Sequence, residues 1–176
     1  YYQRGCYTDA ETYLTQALHL QEGNSHSDPS DTAQTLNSLA LLYQQLASYE
    51  QAETLYQRSL EIRERLLGPE HPKTAESLHN LAMLYGDQGN YQEAERLYLH
   101  VLALEEGVKG TDHLDVASTL NNLALIYYQQ GRYSEAEATY EHALAIYEHA
   151  LPLDHPNLTY PLDGLATLAE KQGNYQ

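Results

Sequence analysis

Apolar residues recur along this chain with the spacing of an amphipathic α-helix. Leu78, Leu81, Ala82 and Tyr85 stand at positions i, i+3, i+4 and i+7, which places them in one stripe along a helix, termed here helix A. A break at Gly89-Asn90 follows, and a second stripe, helix B, consists of Ala94, Leu97, Tyr98, Val101, Leu102 and Leu104. The pattern predicts pairs of antiparallel helices.

The whole pattern returns every 42 residues. Recurring positions include the sets Leu36, Leu78, Leu120, Leu162; Leu39, Leu81, Leu123, Leu165; Ala40, Ala82, Ala124, Ala166; and Ala10, Ala52, Ala94, Ala136. We predict repeat units at 1–25 (partial), 26–67, 68–109, 110–151 and 152–176 (partial) within one domain, 1–176. One unit alone cannot bury both of its stripes, so stability must come from stacked neighbours, and the fold class is an all-α solenoid.

Breaks between the stripes fix the expected helix ends. Gly89, Gly131 and Gly173 fall where helix A must stop, and Pro72 follows a linker that begins at Gly68. We place helix A at about 72–87 and 114–129, and helix B at about 91–108 and 133–150. Ala47 takes the place of the turn glycine in the first full unit and makes that turn less favourable.

Prolines alter the pattern in two units. Pro29 lies one position early in the first full unit, so its helix A is expected to start slightly earlier. In the last unit Pro161 and Gly164 fall where other units have helix interior, and helix A is predicted to start near Pro161.

The net charge and the cysteine content limit the kinds of partner and the compartment that suit this chain. Nine Lys plus Arg against 25 Asp plus Glu give a formal charge of −16, which disfavours nucleic acid and anionic membrane and favours a neutral or basic protein or peptide. The single cysteine, Cys6, excludes an intrachain disulfide, is assigned to packing, and favours a reducing compartment, here the cytoplasm. No apolar run approaches the roughly 18 residues of a membrane span.

Histidines follow acidic residues at three linkers: Glu70-His71, Asp112-His113 and Asp154-His155. Such pairs suit acid–base chemistry or a metal, but their 42-residue period indicates a structural role, the capping of helix A and packing against the preceding helix B. No nucleophile motif, zinc-protease motif, paired-cysteine spacing or phosphate loop is present. The sequence therefore predicts no enzyme activity, no cofactor and no metal.

Three segments resemble the kinesin-light-chain subgroup of tetratricopeptide repeats (TPR), which has a 42-residue period and not the usual 34. They are Leu-His-Asn-Leu-Ala-Met-Leu-Tyr at 78–85, Gln-Gly-Asn-Tyr-Gln-Glu-Ala-Glu at 88–95 and Leu-Gly-Pro-Glu-His-Pro at 67–72. The resemblance covers essentially the whole chain. It implies a right-handed superhelix of antiparallel helix pairs that serves as a protein-binding scaffold.

In this family helix A lines the concave face, so the resemblance places partner contacts on the non-core positions of helix A. The residues are Asn37, Leu41, Gln45, His79, Asn80, Met83, Asn121, Asn122, Leu125, Tyr128 and Gln129. The asparagines carry a donor and an acceptor each and could hold a peptide backbone, or could instead form hydrogen bonds between repeats. The predicted groove has no cation in its first three units and only Lys171 in the last, unlike family grooves that bind acidic peptides.

Two other roles stay open. The repeats could form the sensor or autoinhibitory arm of a larger nucleotide-binding signalling protein. Because the chain opens and closes within a repeat, we expect a fragment of a longer array, whose uncapped ends could associate end to end.

Overall fold

The computed structural model describes residues 2–24 and 26–173, with the side chains from residue 7 onward. Eight α-helices and one short 3₁₀ helix make up the described chain, without a strand. They are α1 (Tyr2–Gly23), α2 (Pro29–Gln45), α3 (Tyr49–Leu67), α4 (Pro72–Asp87), α5 (Tyr91–Lys109), α6 (Leu114–Gln129), α7 (Tyr133–Ala150), the 3₁₀ helix Pro156–Leu158 and α8 (Thr159–Gly173). The prediction made for the Cys6 side chain lies outside this description, as do residues 1 and 174–176 of the two partial repeat units.

The helices predicted from the repeat are confirmed almost to the residue. Helices α4 and α6 have the predicted bounds, and α5 and α7 differ from them by one residue at most. Helix α2 starts at Pro29, one position before the repeat equivalent of Pro72, and the side chain of Asp28 caps it by accepting from the amide of Ser30 at 2.8 Å. The expected shift of this helix start is therefore confirmed.

The start predicted for the last helix A, near Pro161, agrees with the start of α8 to within two residues. The first turn of this helix A is the 3₁₀ helix at Pro156, the repeat equivalent of Leu114, and α8 itself begins at Thr159, two residues before Pro161. Helix α8 tolerates Pro161 because the ring lies in the first turn, where the backbone amide has no partner within the helix.

The turn between the two helices of a pair depends on a backbone with positive φ. Gly89 and Gly131 adopt φ of 77° after α4 and α6, and Ala47 adopts φ of 55° at the equivalent position after α2. This conformation is costly for a residue that has a Cβ atom, because Cβ then lies too close to the following carbonyl oxygen. The sequence-based expectation of a less favourable turn at Ala47 is confirmed.

The chain divides into two compact units, 1–84 and 85–176. In the first unit α2 packs against α1 and α3, around a core of Leu18, Leu36, Leu39 and Leu42. In the second unit α6 packs against α5 and α7, and α7 packs against α8. Two clusters fill this second core: one around Val116, Leu120, Ile146 and Tyr147, and one around Ala124, Ala136, Tyr140 and Leu168.

Polar side chains also enter the contacts between a helix B and the next helix A. Arg63 on α3 is only 2% exposed and donates to the Ser77 hydroxyl at 2.9 Å, to the Lys73 carbonyl at 2.8 Å and to the Gln34 side chain at 2.9 Å. One repeat later, the Thr119 hydroxyl donates to the Glu105 carboxylate at 2.7 Å. The same pair of positions is thus a cation beside a hydroxyl in one unit and an anion beside a hydroxyl in the other.

The last helix A keeps an open face. Leu162, the repeat equivalent of the buried Leu36, Leu78 and Leu120, is 47% exposed.

Candidate functional site

The predicted contact residues divide into three groups by exposure. Leu41, Gln45, Leu125 and Gln129 are exposed, with Leu41 at 40% and Leu125 at 45%. Half-buried positions are His79, Asn80, Met83, Asn121, Asn122 and Tyr128. Asn37 is buried. The exposed leucines lie on the side of α2 and of α6 that the packing leaves open.

In the first unit, two of the predicted asparagines bind each other. The Asn80 side-chain nitrogen on α4 donates to Oδ1 of Asn37 on α2 at 3.0 Å, and Asn37 is 7% exposed. The pair therefore joins two neighbouring A helices. This is the alternative role considered for the asparagines, namely hydrogen bonding between repeats. Oδ1 of Asn37 already accepts this hydrogen bond. Because Asn37 is also buried, it does not lie on an open face of the helix.

In the second unit, α6 lies directly against α8 and a groove runs between them. It consists of two cavities of about 500 and 270 Å³ that share Asn121 and Tyr160. Predicted residues in its walls are Asn121, Asn122, Leu125 and Tyr128. Ser118, a further non-core position of the same helix A, also lines it. The structure adds Asp115, Tyr140, Tyr147, Asn157, Tyr160, Asp163 and Thr167, and all of these residues together are termed the α6–α8 groove.

The additional groove residues carry a sequence signal that the prediction did not use. Tyr160 and Asp163 occupy the repeat positions of Ser118 and Asn121, each 42 residues later. The predicted contact residues end at Gln129, in the helix A before α8. Extending the period by one unit identifies both residues.

The charged side chains that line the groove are all acidic. Neither cavity has a lysine, arginine or histidine in its wall, and both contain a carboxylate, from Asp115 or Asp163. Asp115 is paired with Lys109, whereas the side chain of Asp163 forms no ion pair within the described residues. Burial raises the pKa of Tyr140 to about 12 and raises the pKa of Tyr147, so both hydroxyls stay protonated at neutral pH.

Asn121 lacks the hydrogen bond that its repeat equivalent makes. It corresponds to Asn37, and the partner equivalent to Asn80 is Gly164, which has no side chain. A Cβ at Gly164 would lie 2.4 Å from Cζ of Tyr140, so the tyrosine ring fills the space. As a result Oδ1 of Asn121 is buried and finds no partner in the part of the chain that the structure describes.

The three linker histidines cap helices, as predicted. Nδ1 of His71, His113 and His155 accepts from the amide two residues later, at 3.1 Å in each case. The bond satisfies an amide that the first turn of the helix leaves unpaired.

Among the described residues no group of three or more His, Cys, Asp or Glu could hold a metal ion. None of the described helices is both long and apolar enough to cross a membrane.

Comparisons with known proteins agree with this architecture. The family model described as tetratricopeptide repeat matches residues 31–106 and 79–149. BtubC (BKLC) from P. vanneervenii shares 26% identity with a TM-score of 0.84, over 99% of this chain and 69% of that one. A protein from Podospora anserina described as a kinesin light chain with nearly identical TPR-like repeats shares 27% identity with a TM-score of 0.78, over 98% of this chain and 82% of that one.

More distant structures show the fold alone. The apo form of RapI is 20% identical with a TM-score of 0.79, and the match covers 99% of this chain and 46% of that one. No match was found among curated proteins. The family model spans more than half of the chain, and the 42-residue helix pairs are observed in the structure; the chain belongs to the tetratricopeptide repeat family and is of the kinesin-light-chain-like type.

Proposed function

We propose that this chain is a non-catalytic scaffold that binds a peptide or partner domain on the open face of its A helices. One observation carries the proposal: Leu125 is 45% exposed within a groove that Asn121 and Tyr128 also line. An exposed leucine beside hydrogen-bonding side chains in a concave site is the usual composition of a binding surface. Leu41, the repeat equivalent of Leu125 on α2, is 40% exposed.

The proposed partner is neutral or basic. Both cavities of the α6–α8 groove contain a carboxylate and lack a cation, and the chain carries a formal charge of −16. An acidic peptide would meet like charge at close range in such a groove, which is unfavourable for binding.

The binding face can be tested by selecting ligands and then removing single leucines. Phage-displayed random 12-residue peptides are selected on the chain, and the enriched peptides are titrated against Leu41→Gln, Leu125→Gln and the control Leu99→Gln. Leu99 is 44% exposed and lies on α5, a B helix, so its loss of apolar surface matches that of Leu125. Glutamine keeps the helix propensity high in all three variants.

We expect the Leu125 or the Leu41 variant to weaken binding at least fivefold, about 1 kcal/mol, while the Leu99 variant binds like the parent chain. Circular dichroism should show the same helix content in all four proteins. Loss of binding with Leu99→Gln and its retention in both A-helix variants would place the site on the B helices and overturn the proposal.

A further inference from the structure

The smaller cavity of the α6–α8 groove combines an apolar wall with one carboxylate. Its volume is about 270 Å³, and its wall includes Leu125, Tyr128, Tyr140, Asp163 and Thr167. The apolar part of the lining surface exceeds the polar part. A cavity of this kind matches a side chain that has an apolar stem and a charged end.

Asp163 supplies the charge for such a side chain. Its carboxylate is exposed, lines the cavity and forms no ion pair with any described residue, and no lysine, arginine or histidine lies in the cavity wall. Because no cationic side chain in the cavity wall neutralises Asp163, its carboxylate can pair with a cation of a ligand. An acidic or phosphorylated side chain would instead meet repulsion.

The tyrosine rings favour arginine over lysine. Tyr128 and Tyr140 both line the cavity with Asp163. A guanidinium group is planar, stacks on aromatic rings and can bind a carboxylate through two parallel hydrogen bonds, whereas an ammonium group is a strongly hydrated point charge.

The larger cavity continues the groove with groups that suit a peptide backbone. Asn121 and Tyr160 line both cavities, and Ser118 and Asn157 line the larger one. Oδ1 of Asn121 is an acceptor without a partner among the described residues. A rotation of its carboxamide would present this oxygen to an incoming backbone N–H, which would remove the cost of an unsatisfied buried acceptor.

We propose that the α6–α8 groove binds an extended peptide through one arginine, whose stem lies against Leu125 and the tyrosine rings and whose guanidinium group pairs with Asp163. This inference rests on the proposed function, since it names the ligand class of one part of the same face. It assigns arginine recognition to α8, a helix that the sequence-based selection of contact residues did not include.

The test uses capped pentapeptides that differ only in their central residue. Acetyl-Ala-Ala-Arg-Ala-Ala-amide is titrated into the ¹⁵N-labelled chain, in parallel with the citrulline, lysine and glutamate peptides. Citrulline has the length and shape of arginine without its charge. The same titrations are made with Asp163→Asn and with the control Glu148→Gln, which removes an exposed carboxylate of α7 that lines neither cavity.

We expect the arginine peptide to shift the amide signals of Leu125, Asp163 and Thr167 and to bind at least fivefold tighter than the citrulline, lysine and glutamate peptides. Asp163→Asn should remove the difference between arginine and citrulline, and Glu148→Gln should keep it. Equal binding of arginine and citrulline, or equal loss in both variants, would show non-specific attraction to an acidic protein and overturn the inference.

Failure of the inference and failure of the proposed function give different results. If phage-selected peptides depend on Leu125 but the arginine peptide shows no dependence on Asp163, the scaffold function stands and arginine recognition is wrong. If the selected peptides depend only on Leu99 and the arginine peptide shows no dependence on Asp163, the proposed binding face is wrong, and the arginine inference that rests on it is wrong as well.

Discussion

Ala47 shows how one residue can lower the stability of a repeat that is otherwise regular. Its φ of 55° is the left-handed conformation that glycine provides at Gly89 and Gly131. For a residue with Cβ this conformation costs about 1 kcal/mol. The turn persists because Leu36, Leu39 and Ala40 before it and Ala52 after it are buried, and this packing holds both helices in place.

We therefore predict that Ala47→Gly stabilises the chain by about 0.5 to 1 kcal/mol, measured from the midpoint of urea unfolding. The gain is less than the full strain because glycine also increases the entropy of the unfolded chain. Ala145→Gly on the exposed side of α7 is the control, and there the same substitution should destabilise by about 1 kcal/mol. Equal destabilisation by both substitutions would contradict a strained turn at Ala47.

Glycine is required at position 164 because there is no space for a side chain. The Tyr140 ring lies where a side chain would start, with Cζ 2.4 Å from an ideal Cβ. We predict that Gly164→Ala lowers the free energy of unfolding by about 1 to 3 kcal/mol, because the ring must move within a packed cluster.

Gly107 in α5 provides the matched control for this prediction. It is also helical, but a Cβ there would meet nothing within 4 Å, so Gly107→Ala should stabilise by about 0.5 to 1 kcal/mol. The double variant Gly164→Ala, Tyr140→Leu should regain stability relative to Gly164→Ala alone. Thermal unfolding in which both alanine variants are stabilised would show that Tyr140 does not constrain α8.

At the scale of the element, Glu105 makes the packing of α5 against α6 sensitive to pH. Burial raises its pKa, and the hydrogen bond from Thr119 opposes this shift only in part. A carboxyl whose pKa is higher in the folded chain than in the unfolded chain stabilises the fold in its protonated form. This contribution is present below the unfolded value of about 4.3 and is lost as the pH rises through the folded pKa.

Glu105→Gln should therefore unfold at a higher temperature than the parent chain at pH 7, by roughly 1 to 3 °C, and at the same temperature at pH 4. Glutamine can still accept from the Thr119 hydroxyl without burying a charge. Glu141→Gln serves as a control, since it removes an exposed carboxylate of α7 in place of a half-buried one. A Glu105→Gln variant that is less stable than the parent chain at pH 7 would mean that the ionised form stabilises this contact.

At the scale of the whole molecule, the repeat made most of the fold predictable. Each turn and each buried stripe occurs several times, so a weak local signal in one unit is supported by the same signal in the others. In the last unit the local proline signal and the repeat each identify one feature. The α-helix begins at Thr159, near Pro161, and the 3₁₀ helix lies at the repeat position that begins at Pro156.

The candidate site was less predictable because burial depends on neighbouring side chains. Asn37 and Asn121 share one repeat position, yet Asn37 accepts from Asn80 and is buried, while Asn121 lines a groove. The difference arises 43 residues later, where Gly164 replaces the asparagine that would donate to Asn121. A periodic pattern identifies the face of a helix, but the pairing of polar groups across helices must be observed.

The polar contacts at Arg63 and Glu105 have a consequence for how such a chain can evolve. Recombination between similar repeats can delete one unit of 42 residues and leave every leucine and alanine of the core in register. Deletion of 110–151, however, would place Glu105 opposite Pro161, because proline occupies the repeat position of Thr119 in the last unit. Proline has no hydroxyl to donate, so the half-buried carboxylate would lose its hydrogen bond. The units share one apolar pattern, but their polar contacts make them not interchangeable.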